Sequence, residues 1–176
     1  MNKLELKYFK LYGDVLDIKK STSEAACFDI HAYFGIKSRT FTVYTKDNSK
    51  TNYMAFKKTL DDTIHTILNP GDRALLPTGI ILDIPIGYSV RTHARSGNAL
   101  KMGLILPNGE GIIDSDYYHE CFIPILNSSS EQIIINHGDR IAQLEMIQVL
   151  DYDAVVSMIK PEQKTNRIGG FGSTGK

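Results

Sequence analysis

Apolar positions along this chain come in short runs, and each run stops at a turn signal. Leu75 to Val90, Glu120 to Leu126, Gln132 to Asn136 and Ile141 to Leu150 are rich in Ile, Leu and Val, residue types that fit a pleated surface. Asn69-Pro70-Gly71-Asp72, Pro77-Thr78-Gly79, Pro85-Ile86-Gly87 and His137-Gly138-Asp139 punctuate these runs. Many short strands with turns at close intervals predict an all-β barrel or jelly roll. Asn98-Ala99-Leu100-Lys101-Met102 breaks the β pattern and predicts one short helix around Ser96 to Met102. The sequence holds no internal repeat.

Arg39 to about Thr63 follows a different pattern. Phe41-Thr42-Val43-Tyr44-Thr45 alternates like a strand, Lys46 to Asn52 is a polar turn, and Tyr53, Phe56, Leu60 and Ile64 are spaced as on a helix. The segment reads as an insertion of about twenty residues with its own small fold. A decoration packed on the barrel rim is preferred here to a docking surface for another protein.

Gly111-Ile112-Ile113-Asp114-Ser115-Asp116-Tyr117 joins a glycine turn, a buried-looking Ile pair, two alternate carboxylates and an aromatic ring. As an extended segment it would set Asp114 and Asp116 on one side and Ile113, Ser115 and Tyr117 on the other. One carboxylate could then face a pocket while its neighbour braces the strand. A hairpin with Asp at its turn is the plainer reading of the same residues.

Composition narrows the class. A chain of 176 residues, 42% hydrophobic, can build one domain with a real core. With 20 basic and 20 acidic side chains, no global field draws it to nucleic acid or to an anionic membrane, so an anionic substrate must be held by local charges. Cys27 and Cys121 are its two cysteines, no apolar run approaches a membrane span, and Met1 to Glu5 lacks a signal peptide's basic-then-apolar character. The expectation is a soluble protein of a reducing compartment, the cytoplasm or a host cell's interior if the source is viral.

Five stretches then stand in an informative order: Ala25 to Ala32, Ala94-Arg95-Ser96-Gly97-Asn98-Ala99-Leu100, the Asp114 stretch, Gly138-Asp139-Arg140-Ile141-Ala142-Gln143-Leu144, and Gly169-Gly170-Phe171-Gly172-Ser173-Thr174-Gly175. Together they resemble the five motifs of the trimeric dUTPase family, from about Ala25 to Gly175 with one insertion. The resemblance implies a jelly-roll-like β-barrel of the β-clip kind, with one short helix and the inserted segment. It implies a single β domain over residues 1–160 and a flexible C-terminal arm over 161–176. It implies a homotrimer whose motifs meet at sites shared between subunits, with no direct nucleic-acid binding and no membrane contact. The implied activity is hydrolysis of dUTP to dUMP and pyrophosphate, which keeps uracil out of DNA and supplies dUMP for thymidylate synthesis.

Roles follow residue by residue from the same resemblance. Cleavage between the α and β phosphates needs an in-line water and charge neutralisation on the phosphate oxygens. Asp114 would orient and deprotonate that water. Mg²⁺ on the polyphosphate would share the work, with Asp29 as its protein partner, through water. Arg95, Ser96 and Gly97 offer a fork of donors, a hydroxyl and an open backbone to the phosphates, and Gln143 would contact phosphate or the attacking water. Asn108, Gly111, Ile112 and Ile113 would form the hairpin that reads the uracil edge, Phe122 would give the base a main-chain contact, and Tyr117 would pack on the deoxyribose and exclude a 2′-hydroxyl. In the arm, Phe171 would stack on the base, while Gly172, Ser173 and Thr174 reach the phosphates and Arg167 grips them. Gly170 to Lys176 also fits G-x-x-x-x-G-K, but neither the Ser/Thr nor the helix of a phosphate-binding loop follows, so a Walker role is not expected.

Several positions depart from the family pattern: Asn166 where its tail Arg would fall, Tyr118-His119 for Arg-Gly, Asn98 for Leu and Ala94 for Pro. Two rival readings stay open. One is a dCTP deaminase relative, or an enzyme accepting both dCTP and dUTP, with Glu120 as the residue that would activate water at the base. The other is a nucleotide-responsive binding module that captures a protein partner through the insertion.

Overall fold

Short strands account for most of the regular structure in the described chain, which in this computed structural model comprises residues 4–35, 39–57 and 63–169. In order they are β1 (Lys7–Lys10), β2 (Phe28–His31), β3 (Thr40–Tyr44), β4 (Lys50–Met54), β5 (Phe56–Lys57), β6 (Ile64–Leu68), β7 (Arg73–Pro77), β8 (Ile80–Asp83) and β9 (Tyr88–His93). Helix α1 (Ser96–Met102) follows, then β10 (Leu104–Ile105), β11 (Gly111–Ile113), β12 (Phe122–Asn127), β13 (Ile133–Asn136) and β14 (Arg140–Gln148). The expected all-β, jelly-roll-like architecture with one short helix is what the chain adopts.

All named strand pairs are antiparallel, and they form sheets in the orders β1-β8, β10-β12-β7-β3-β4, β11-β9-β14-β2 and β13-β6-β5. Alternation decides which face of each strand is covered. Along β12, Ile123, Ile125 and Asn127 turn inward, and along β13 Ile133 and Ile135 do the same. Phe34, Ile30, Leu76, Ile80, Val90 and Leu144 complete a single apolar cluster, each contributing roughly 2 kcal/mol by burial. Asn127 is fully buried, but its amide donates to the carbonyls of Leu68 and Glu131 at 2.9 and 2.8 Å, so the core holds no uncompensated amide there.

Helix α1 ends where its sequence says it should. Gly103 takes a left-handed φ of 70° and its N–H returns to the Ala99 carbonyl. A side chain at Gly103 would also press on the Ser129 backbone, so glycine is required twice over. After β14, Val149 donates to the Gly87 carbonyl, and residues 150–169 form neither strand nor helix and lie exposed.

Two expectations are corrected here. The helical spacing of Tyr53, Phe56, Leu60 and Ile64 does not produce a helix: Tyr53 lies in β4, Phe56 in β5 and Ile64 in β6, while Leu60 falls outside the described residues. Nonlocal pairing wins, because β3 bonds to β7 as well as to β4 and Tyr53 sends its hydroxyl to Asp72 at 2.9 Å. The segment is tied into the fold, since Phe41 and Val43 are core residues and the β3-β4 hairpin forms the edge of a five-stranded sheet. The second correction concerns the Asp114 stretch. The strand stops at Ile113, and Tyr117 N–H closes a turn onto the Asp114 carbonyl at 3.1 Å, so the alternation does not continue to Tyr117.

Candidate active site

The sheet β11-β9-β14-β2 carries most of the predicted residues. Asp29 leaves β2 opposite Gln143 of β14, which in turn faces His93 of β9. A register shift between Arg140 and Ala142 bulges β14, which re-aims the side chain at its start. Arg140 Nη1 thereby reaches Asp29 Oδ2 at 3.2 Å.

Asp29 is the hub of a charged cluster. Its side chain is 5% exposed, and Oδ1 accepts from Arg95 Nε at 3.0 Å while Oδ2 accepts from the Ser21 hydroxyl at 3.0 Å. Gln143 Nε2 is a looser donor to Oδ1 at 3.4 Å. Burial by itself would raise the carboxyl, but the Ser21 hydroxyl, the Arg95 charge and the hydrogen bonds from Arg140 and Arg95 hold it below the usual carboxylate range. His31, beside it, is pushed down, first by burial and then by the two guanidiniums against the opposing pull of Asp29.

Arg95 is also the residue from which α1 starts, and Ser96 and Gly97 stand exposed in the first turn with open space where a glycine side chain would be. Asn98, a departure from the family pattern, braces this corner: its amide donates to the Arg140 carbonyl at 2.9 Å and its oxygen lies 3.5 Å from Arg95 Nη1. Arg95, Asn98 and Arg140 share a cleft of about 230 Å³. The sequence reading picked Arg95 and Gln143 but missed Arg140; strict alternation sets Arg140 and Gln143 on opposite faces, and only the bulge brings Arg140 to Asp29.

The second half of the predicted set lies elsewhere. Ile112, Ile113, Asp114, Tyr117 and Phe122 line one open cleft of about 370 Å³. Asp114 is exposed there, and its carboxylate has no hydrogen bond or ion pair with any described residue. Of the Ile pair only Ile113 packs against the core, while Ile112 is 58% exposed. Gly111 lies over the Thr92 hydroxyl, where a side chain could not fit, and Asn108 is exposed at the turn before it. Tyr117 donates to the Glu120 carbonyl at 3.1 Å and meets the His119 ring edge-on.

Glu120 itself is engaged. Arg39 grips both carboxylate oxygens at 2.8 Å and Gly79 N–H donates to one of them at 2.7 Å. A carboxylate so held is not available to activate water, which removes support from the deaminase reading. Arg167 is exposed and its Nε returns to the Gly169 carbonyl at 2.9 Å. Phe171, Gly172, Ser173 and Thr174 lie outside the described residues.

Register separates the two halves. Ile113 pairs with Val90, which leaves Asp114 beside Ser89 at one end of β9, whereas Arg95 lies two residues beyond the other end. At ~3.3 Å per residue the two stand ~15–20 Å apart. Their clefts have no lining residue in common.

A family model described as dUTPase matches residues 60–175. The deoxyuridine 5'-triphosphate nucleotidohydrolase of Bdellovibrio bacteriovorus is 42% identical over 111 residues, spanning 62% of this chain and 73% of that protein. That of Syntrophotalea carbinolica is 44% identical over 110 residues, spanning 62% and 74%. Among solved structures, a Staphylococcus bacteriophage 80alpha dUTPase variant with dUpNHpp gives a TM-score of 0.73 at 18% identity, covering 99% of this chain and 100% of that one. The Streptococcus mutans dUTPase gives 0.60 at 23% identity, covering 84% and 98%. Both structures share the fold.

Proposed function

Because this chain belongs to the dUTPase family, we propose that it hydrolyses dUTP to dUMP and pyrophosphate at sites completed between the subunits of a homotrimer. The observation that carries this reading is the separation of Asp114 from Arg95. A water held by Asp114 and a phosphate held by Arg95 must be within a few ångströms to react. One chain keeps those groups at opposite ends of β9, so a neighbouring copy has to supply one of them.

In this scheme Asp114 accepts a proton from the water that attacks the α-phosphorus, and pyrophosphate leaves in line. Arg95, with Ser96 and the open backbone at Gly97, neutralises the phosphate oxygens. The ion pair to Asp29 points the Arg95 fork before substrate arrives, so little reorganisation is needed. The Asn108 to Ile113 hairpin and the Phe122 main chain read the base, and Tyr117 packs on the sugar. The arm from Arg167 onward closes the site.

Mg²⁺ fits this donor set only as an ion carried by the triphosphate. Among the described residues no three His, Cys, Asp or Glu side chains gather to cage a metal. Asp29 has three close partners and one long one, Gln143 at 3.4 Å, and that long contact is the one a metal-bound water could replace. When bound, the ion would neutralise charge on the phosphates. A variant dUTPase of phage phi11, similar in fold at a TM-score of 0.67, is described with a structural Mg(II) ion. In a cell the product would feed thymidylate synthesis, and removal of dUTP would keep uracil out of DNA.

The test is pyrophosphate release by the purified protein with Mg²⁺ against dUTP, dCTP, dTTP and UTP, with ammonia assayed in the dCTP sample. Turnover of dUTP alone is expected. Ammonia from dCTP, or no turnover of dUTP, would overturn the reading.

A further inference from the structure

Arg39 opens the inserted hairpin, yet its side chain is turned toward the candidate site. Its carbonyl accepts from Ala55 N–H at 3.2 Å, closing the hairpin. Its guanidinium, 5.6 and 5.8 Å from the ring centres of Tyr12 and Tyr33, forks onto Glu120 with two 2.8 Å hydrogen bonds. Glu120 is 10% exposed in its side chain, and its carbonyl is what the Tyr117 hydroxyl holds at 3.1 Å. The next residue is stapled to the β7–β8 turn and the start of β8, since Cys121 N–H donates to the Ile80 carbonyl and the Thr78 hydroxyl donates to the Cys121 carbonyl. Glu120 is therefore fixed on one side by the β7–β8 turn and on the other by Arg39.

We propose that Arg39 is a positioning residue for sugar selection: through Glu120 it sets the place of the Tyr117 ring. The physical reason is charge burial. Without Arg39 a nearly buried carboxylate keeps only the Gly79 N–H as a partner, and an uncompensated charge in that position moves toward solvent. The displaced side chain pulls on the Glu120 peptide, whose Cys121 N–H stays anchored on Ile80, so the carbonyl tilts about that anchor and loosens its hold on the Tyr117 hydroxyl. A ring that no longer stands in one place leaves room for a 2′-hydroxyl. The inference rests on the proposed packing of Tyr117 against deoxyribose. It also gives the inserted hairpin a share in the site that a rim decoration would lack.

The experiment compares kcat/KM for dUTP and for UTP in the full chain, in Arg39→Gln, Arg39→Lys, Tyr117→Phe and Tyr117→Ala, and in the Arg39→Gln/Tyr117→Phe double variant. Arg39→Gln is expected to lower the dUTP-to-UTP ratio about tenfold, the scale of one charge-assisted hydrogen bond. Arg39→Lys keeps the charge but not the fork, so its ratio should fall between. The double variant should be no worse than the more impaired single one, because both break the same chain of contacts. A purely structural Arg39 would lower melting temperature and both turnovers together without moving the ratio, and that result overturns the proposal. If Arg39→Gln does not fold, Glu120→Gln and Arg39→Lys are read by the same criterion. An altered ratio in Tyr117→Ala with none in the Arg39 variants defeats the Arg39 role alone. An unaltered ratio in Tyr117→Ala defeats the sugar reading and the Arg39 role with it.

Discussion

Asp29 lies 4% exposed among two guanidiniums, a hydroxyl and an amide, whereas Asp114 stands exposed at the end of β11 with its carboxylate unclaimed by any described residue. The same side chain does opposite work in the two regions. Around Asp29 the charges are already paired, so Arg95 and Arg140 are aimed at the cost of having part of their charge spent. Around Asp114 no described residue pairs with the carboxylate, which stands open to solvent. In the proposed reaction a preorganised electrostatic corner and an open carboxylate are complementary parts. Their distance along β9 is what turns the comparison into an argument for a shared site.

The largest expected effect is at the open carboxylate. Asp114→Asn should lose ~10² or more in kcat, as removal of a general base does, with nucleotide affinity and melting temperature nearly unchanged. Titration calorimetry with a non-hydrolysable dUTP analogue beside steady-state kinetics checks this, and near wild-type turnover would end the assignment.

At the paired carboxylate the loss should appear in stability. Asp29→Asn strands Arg95 beside a half-occupied amide and should cost about 2 kcal/mol, less than a fully buried pair because Arg140 is half exposed. Its acid dependence has a defined sign. The folded carboxyl lies below its ordinary value, so its contribution is complete above the unfolded pKa of about 4 and is lost as pH falls through the depressed folded value. Denaturant melts taken downward from neutral pH should therefore show a shallower acid loss in Asp29→Asn than in the parent. An unchanged slope would mean that Asp29 is not ion-paired in solution.

The smallest effect belongs to Asn98→Ala, which removes the brace between Arg95 and the Arg140 carbonyl. A loss of about 1 kcal/mol is expected from one hydrogen bond, together with a modest rise in KM at constant kcat. A fall in kcat with KM constant would place Asn98 in the chemistry instead of behind Arg95.

Local pattern was a good guide wherever local energetics decide. Helix α1 spans Ser96–Met102 because a non-β run ends at a glycine able to turn left-handed. The alternation in Phe41 to Tyr44 became β3, and the runs after Leu75 became β7 to β9 and β12 to β14. The pattern failed at Tyr53, Phe56 and Ile64, whose spacing fits a helix equally well, because pairing with distant strands outweighs weak local preference. The Glu120 partner was also beyond reach, since Arg39 is 81 residues away in sequence.

From the sequence alone come the order of the motifs, the acidic residue proposed to carry the chemistry and the β class of the fold, all properties of residue types at short range. Only the tertiary structure decides that Asp29 belongs to Arg95 and Arg140, 66 and 111 residues away, that a bulge aims Arg140, and that Asp114 and Arg95 stand at opposite ends of β9. Strand register is set by nonlocal pairing, and a shift of one residue exchanges the two faces of a strand, so which groups meet is a property of the folded sheet.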